Sequence, residues 1–168
     1  MAQDEARFGR ISGVKKSWAP HKMRPVAPRQ IVREYTYVYS AVCPSLGEMT
    51  SLILPYGNTQ MMNIFLEHVS KEFKKYNIIM LLDQAGWHRS NYLKIPQNIN
   101  LIKQPSHSPE LNPAEHIWDE MREKNFHNKA FKSMDEVEEA LCVGLNTLRN
   151  NRDYVRSLTN FPYLDITC

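Results

Sequence analysis

The spacing of hydrophobic and polar positions changes several times along the chain, and each change marks an element. Met1 to Phe8 reads as a short strand. Tyr35 to Val42 (YTYVYSAV) is dense in aromatic and β-branched residues and predicts a second strand. Pro44 to Gly47 supplies a turn, and Glu48 to Leu54 is the antiparallel partner. Pro55 to Asn58 then breaks the sheet. From Thr59 to Tyr76, Met62, Phe65, Leu66, Val69, Phe73 and Tyr76 recur at helical spacing. Asn77 to Leu82 (NIIMLL) is a continuous apolar run, as expected of a strand covered on both faces. A short helix is predicted over His88 to Lys94, stopped by Pro96, and Ile99 to Ile102 forms another short strand.

Ser106 to Asn112 is rich in turn residues. Pro113 to Phe126 follows as a helix with Ala114, Ile117, Trp118 and Met121 on one face. Ser133 to Glu136 is a capping box for a last long helix, whose apolar face is Val137, Ala140, Leu141, Leu145 and Leu148. A front antiparallel meander followed by β-α-β units predicts an α/β fold: a mixed sheet, antiparallel at the front and parallel behind, flanked by helices. Ligand sites in such sheets gather at the carboxyl ends of the strands, and Asp83 ends the apolar run.

Composition narrows the class. A chain of 168 residues with 42% hydrophobic and 23% charged positions suits one domain with a usable core. The domain is expected over residues 1–150, with 151–168 as a C-terminal tail. No apolar run is long enough to span a bilayer, and no basic, apolar leader opens the chain, so neither a membrane nor export is expected. Cys43, Cys142 and Cys168 show neither zinc spacing nor a disulfide framework, which suits a reducing, cytoplasmic location.

The net charge of +3 says less than its distribution. From Arg7 to Arg33 the chain carries Arg7, Arg10, Lys15, Lys16, Lys22, Arg24, Arg29 and Arg33 without an acid, and Phe8 and Trp18 are interleaved. This reads as a phosphate-facing surface, against the plainer alternative of a solvated basic loop.

Three carboxylates stand out. Asp83 after a buried strand is either a functional acid or a cap for the following turn. Glu115 falls where Asn112 as N-cap and Pro113 as first helical residue would place the acid of a capping box; that structural role is compatible with a functional one. Asp119 and Glu120, further along the helix, are fallback candidates. Asp4 and Glu5 are adjacent on a strand and must face opposite ways. Asp4 shares a face with Ala6 and Phe8, whereas the Glu5–Arg7 face is expected to be more solvated, which favours Asp4 as the inward acid. Acids delivered from separate elements to one point suit divalent cations and phosphodiester chemistry. His88 and His107 lie nearby in sequence, as structural groups or as auxiliaries.

QDEARFGR, LDQAGWH and SHSPELNPAEHIWDEMREK together resemble the catalytic domain of DDE transposases, in the bacterial insertion-sequence branch of the mariner-like superfamily. The resemblance runs from Gln3 to about Leu148. It implies an RNase H-like fold and a site of Asp4, Asp83 and Glu115 holding two Mg²⁺ ions, with Mn²⁺ as substitute. It also implies DNA cleavage and strand transfer, on element ends and target DNA, and the basic segment would then grip the DNA backbone. His88 and Asn112 are possible auxiliaries.

The sequence departs from the pattern in places. Gln84 and Gly86 stand where relatives often have Asn and Pro, and Asp4 lies only three residues after Met1 with no helix-turn-helix before it. End recognition is therefore expected to be missing or supplied by another chain. A homodimer or a separate DNA-binding chain is the expected partner. The alternative is a truncated, inactive remnant that binds DNA or associates with an intact transposase.

Overall fold

The sheet is built around the first strand. In the computed structural model, which describes residues 1–11, 13, 15–16, 18–24, 26, 30–105, 108 and 111–161, β1 (Ala2–Ile11) lies between β2 (Ile31–Cys43) and β4 (Ile78–Leu82). With β3 (Glu48–Leu54) and β5 (Ile99–Lys103) the order is β3-β2-β1-β4-β5. β1, β2 and β3 form the expected antiparallel meander, with Asp4 opposite Ser40 and Val38 opposite Ile53. β4 runs parallel to β1, with Ala2 opposite Leu81, and β5 parallel to β4. This is the mixed sheet that the strand order predicts, in the RNase H-like form that the resemblance implies.

β1 is longer than its apolar pattern suggests. It continues past Phe8 to Ile11, with a register irregularity between Gly9 and Ile11. At its other end, the Met1 amine donates to the Ile79 carbonyl and the Leu81 N–H donates to the Met1 carbonyl, so pairing with β4 begins at once.

Both faces of the sheet are covered. α1 (Thr59–Glu72) buries Met62, Phe65, Leu66 and Val69 against Tyr39, Ala41, Ile78 and Met80. Its start is capped by the Asn58 side chain, which accepts the Met61 N–H. On the opposite face, α2 (Ala114–Met121), α3 (Met134–Arg149) and α4 (Arg152–Thr159) bury Ile117, Trp118, Leu141, Leu148 and Val155 over Ala2, Ala6, Phe8 and Val42. Period-two alternation along β1 thus sends Asp4, Ala6 and Phe8 towards α2 and α3, and Gln3 and Glu5 towards α1.

Several local expectations are corrected. The helix predicted over His88 to Lys94 is instead a 3-10 turn, Gly86–Arg89, followed by a separate turn closed by Leu93 N–H to the Ser90 carbonyl. The backbone is diverted there because Asn63 accepts the Lys94 N–H and donates to the Tyr92 carbonyl, pinning the segment to α1. α1 ends at Glu72 rather than Tyr76, where the chain tightens into a turn with Tyr76 N–H on the Phe73 carbonyl. The helix expected to run through Phe126 is α-helical only to Met121 and closes in a π-helical turn, Arg122–Phe126, with His127 N–H on the Arg122 carbonyl. At α3, Ser133 accepts the Glu136 N–H as expected, but Glu136 reaches back to the Lys132 N–H rather than to that of Ser133.

Residues 152–159 form a helix the sequence pattern did not predict. α4 reaches the core through fully buried Val155, and its Arg152 pairs with Glu48. Gly47 has a positive φ of 63°, and a Cβ there would collide with the Arg152 carbonyl, so glycine lets the β2–β3 turn sit against the start of α4. Of the loop expected from Ser106 to Asn112, Ser106, His107, Pro109 and Glu110 lie outside the described residues, as does Arg29 of the basic segment.

Candidate active site

Asp4 and Asp83 follow the same register point on neighbouring parallel strands. Ala2 lies opposite Leu81 on parallel neighbours, and each acid stands two residues further along its own chain. Asp83 leaves the sheet directly after β4, at the carboxyl end of a strand. Glu115 arrives from the first turn of α2, where the helix N-terminus favours a carboxylate.

Asn112 fixes that arrival. Its Nδ2 donates to the Gln3 carbonyl, 3.4 Å away, next to Asp4, and its Oδ1 accepts the Ala114 N–H at 3.1 Å. Its carbonyl accepts the Glu115 N–H. The expected capping box is therefore replaced by an Asx turn one residue earlier, since a buried Asn112 can serve both the helix start and β1. The Glu115 carboxylate makes no hydrogen bond or ion pair with a described residue.

The electrostatics of Asp4 are those of an acid short of positive charge. Burial pushes its pKa up to about 7; the Trp118 indole N–H, which donates to Oδ2 at 2.7 Å, pulls it down; the Glu115 and Glu5 charges push it up again. Asp83 is the opposite case. Its side chain is 52% exposed, and the hydrogen bond to His88, with help from the Ala85 N–H, outweighs burial and holds its carboxyl below the ordinary value. Asp83 Oδ1 lies 2.9 Å from His88 Nδ1 and 2.8 Å from the Ala85 nitrogen.

His88 is enclosed, with its side chain 1% exposed. Its Nε2 lies 3.0 Å from Glu5 Oε1, which also accepts the Trp87 indole N–H at 3.2 Å. Burial is the largest influence on the ring and favours the neutral form, but the bonds to Asp83 and Glu5 together raise its pKa to about 9. The expectation that the Glu5 face is solvated fails at this position. The Glu5 side chain is only 6% exposed because the turn at Trp87 and His88 folds over it.

The sequence did not assign Glu5 or Trp118 a role in the site. Two signals were available: neighbouring acids on a strand covered on both faces must both meet protein, and a buried tryptophan N–H needs an acceptor.

Carboxylate oxygens are the donors that hard divalent cations take, and an Asp4 carboxyl raised by burial and by neighbouring acids fits a cation at this end of the sheet. Among the described residues, no three His, Cys, Asp or Glu side chains converge as a preassembled cage. The charge of Glu115 reaches Asp4, while His88 holds the Asp83 carboxylate.

The basic residues divide into two kinds. Lys15, Lys16, Lys22 and Arg24 are exposed, as is Trp18, and exposed Arg7 stacks 4.7 Å over the Tyr35 ring. Arg10 is a brace: its side chain is 18% exposed, pairs with Glu34 at 2.7 Å and donates through Nε to the Phe131 carbonyl. Among the described residues, no helix is long and apolar enough to cross a membrane.

Comparison with known proteins bears on the family and the fold. A sequence profile of the family described as DDE superfamily endonuclease matches residues 1–138. The chain is 38% identical over 115 residues to the protein named "Uncharacterized protein y4pE/y4sA" of Sinorhizobium fredii (strain NBRC 101917 / NGR234), a match covering 68% of this chain and 85% of that one. Among solved structures, the Mos1 transposase paired-end complex with left transposon end superposes with a TM-score of 0.63 at 16% identity, over 95% of this chain and 55% of that one. The Mos1 mariner paired end complex with Mn gives 0.63 at 17% identity, again over 95% and 55%. The chain thus spans about half the length of the Mos1 chains and shares their fold over nearly its whole extent. With more than half of its residues matched by the family profile, from β1 into the first turns of α3, the chain belongs to the DDE endonuclease superfamily.

Proposed function

We propose that this chain acts as the catalytic domain of a DDE transposase, cutting DNA and joining element ends to target DNA with divalent metal. The catalytic acids in this reading are Asp4, Asp83 and Glu115, within a catalytic unit of residues 1–150. One observation supports it: Asp4 and Asp83 each follow by two residues the Ala2–Leu81 pairing of parallel neighbours, Asp83 just past the end of β4, and the charge of Glu115, from a third element, reaches Asp4.

Asp4, Asp83 and Glu115 would hold two Mg²⁺ ions, or Mn²⁺ in their place. When bound, such ions supply a more acidic attacking water or DNA 3′-hydroxyl and neutralise charge on the departing oxygen. The protein's own groups set the frame. Trp118 fixes one oxygen of Asp4, Asn112 fixes the start of the helix that bears Glu115, and His88 fixes one oxygen of Asp83. Arg7, Lys15, Lys16, Lys22 and Arg24 offer charge to DNA phosphates. The DNA partners are element ends and target; the protein partner is a second copy or a separate DNA-binding chain.

A second reading has its own support. Asp83 is held by His88, and the acids of the described residues form no preassembled cage, which suits a chain that binds DNA or an intact transposase without cutting. Nicking of supercoiled plasmid with Mg²⁺ or Mn²⁺ separates the two. Metal-dependent nicking lost in both Asp83→Asn and Glu115→Gln supports the catalytic reading. A folded chain that never nicks supports the second.

A further inference from the structure

We propose that Glu5 and His88 are positioning residues: a brace running through the central strand that orients Asp83 for metal. The inference rests on the catalytic reading above and adds to it a residue on the opposite face of β1 from Asp4. His88 Nδ1 lies 2.9 Å from Asp83 Oδ1, and Nε2 lies 3.0 Å from Glu5 Oε1. Each ring nitrogen thus meets a carboxylate, and the ring links two acids from separate elements into one unit.

The enclosure of this unit matters to how it acts. The Glu5 and His88 side chains are almost wholly buried, and Trp87 adds a donor to the same Glu5 oxygen. A buried carboxylate with two donors has little freedom to turn, and neither has the ring it holds. Asp83 is the reverse, half open to solvent and just past the end of β4. Left to itself, a carboxylate there would sample several rotamers. The two described hydrogen bonds to its side chain, from His88 and from the Ala85 N–H, both fall on Oδ1. The brace thus fixes the carboxylate plane through one oxygen, while no described residue hydrogen-bonds the other. Partners that orient a ligand without touching the metal typically contribute roughly 10–100-fold to affinity or activity.

Mn²⁺ binding to the full chain, followed by electron paramagnetic resonance of the free ion, tests this without needing catalysis. The informative pair is His88→Asn and His88→Gln. An asparagine amide can take the place of Nδ1 and still donate to Asp83; a glutamine amide takes the place of Nε2 and reaches Glu5 instead. The expected result is weaker Mn²⁺ binding in all three variants: by about threefold for His88→Asn, which keeps the donor to Asp83 but loses Glu5, by at least about tenfold for His88→Gln, which loses that donor, and by an amount close to that of His88→Asn for Glu5→Gln. A role confined to folding would not distinguish the two amides, so thermal melting is recorded alongside. Equal Mn²⁺ affinity for the two His88 variants overturns the brace. So does a folded Glu5→Gln with wild-type affinity; if Glu5→Gln does not fold, the His88 pair decides. Asp83→Asn in the same titration separates the two levels. If it abolishes binding while the His88 pair is equal, only the brace is wrong; if it leaves binding unchanged, the acid-cluster reading fails and the brace with it.

Discussion

Trp118 donates its indole N–H to Asp4 Oδ2 at 2.7 Å, tying α2 to the central strand at an acid whose pKa burial raises. The tryptophan is itself buried, packing edge-on against Phe8, so its N–H has no water to turn to. Hydrogen bonds to charged groups contribute about 1.5–3 kcal/mol, and removing the donor leaves the carboxyl without its main polar partner. Trp118→Phe is expected to lower unfolding stability by about 2–3 kcal/mol. Urea unfolding of Trp118→Phe, Asp4→Asn and the double variant checks this. A coupling energy near zero in that cycle would show that the bond contributes nothing.

The folded protein without metal should lose stability as pH rises from about 4 to about 9, in two stages. Asp4, with an ordinary pKa of 3.8 and a folded value of about 7, keeps a proton in the folded state that the unfolded chain has already released between those values. Stability therefore falls as pH rises through that window, by on the order of a few kcal/mol. His88, with an ordinary value of 6.5 and a folded value of about 9, favours the folded state fully below 6.5 and loses that contribution as pH rises through about 9. Asp83 is held low, so its contribution is lost only on the acid side, as pH falls below 3.8. Urea midpoints at pH 5, 7 and 9 should decline in wild type, and Asp4→Asn should flatten the first interval while sparing the second. An unchanged slope between pH 5 and 7 in Asp4→Asn would refute the assignment.

Divalent metal should reverse part of that decline. A cation near Asp4 favours its ionised form, so Mn²⁺ and Mg²⁺ are expected to stabilise the fold more at pH 8 than at pH 5. A ligand at about 100 times its dissociation constant adds about 2.7 kcal/mol. Thermal melting with and without metal measures the gain, and Asp4→Asn, Asp83→Asn and Glu115→Gln should each reduce it. A gain that is the same in all three variants would place the metal elsewhere.

The strands that order the site were legible because their signals are strong and local. β3 was bounded to the residue by a turn and a breaker, and the apolar run of β4 pointed directly to Asp83. Alternation along β1 correctly turned Asp4 inward. What failed depended on distant partners. β1 was cut short because Gly9 and Arg10 break its apolar pattern, yet Gly9 pairs with Tyr35, and Arg10 is held by Glu34 and the Phe131 carbonyl. The 3-10 turn at Gly86–Arg89 and the burial of Glu5 arise together, from a histidine reaching across two strands, and no spacing within either segment announces it. α4 went unseen because only Val155 and Thr159 of its eight residues are buried, too few to set a period.

That same sparse helix carries a prediction. Val155 is fully buried in the core that also holds Trp118 and Leu141, so α4 contributes to folding despite its polar sequence. Val155→Ala removes two buried methyl-sized groups and should cost about 2 kcal/mol in urea unfolding. A loss below about 0.5 kcal/mol would mark residues 152–159 as an accessory segment.

The division of the basic residues into exposed and braced ones gives the DNA reading a test with its own control. Each phosphate neutralised by a lysine or arginine contributes about −0.9 to the slope of log affinity against log salt. Lys15, Lys16 and Arg24 are exposed, so replacing all three with alanine is expected to reduce the slope by about 3 and to weaken binding of duplex DNA regardless of its sequence. Arg10→Ala should behave differently. Its guanidinium is already held by Glu34 and its Nε by the Phe131 carbonyl, so the change should loosen the β1–β2 ladder and lower stability while leaving the slope near its wild-type value. Fluorescence anisotropy with a labelled duplex at several salt concentrations supplies the slopes. If the triple variant keeps the wild-type slope, the segment is a solvated basic loop and DNA is held elsewhere; if Arg10→Ala alone lowers it, the guanidinium leaves Glu34 for phosphate when DNA binds.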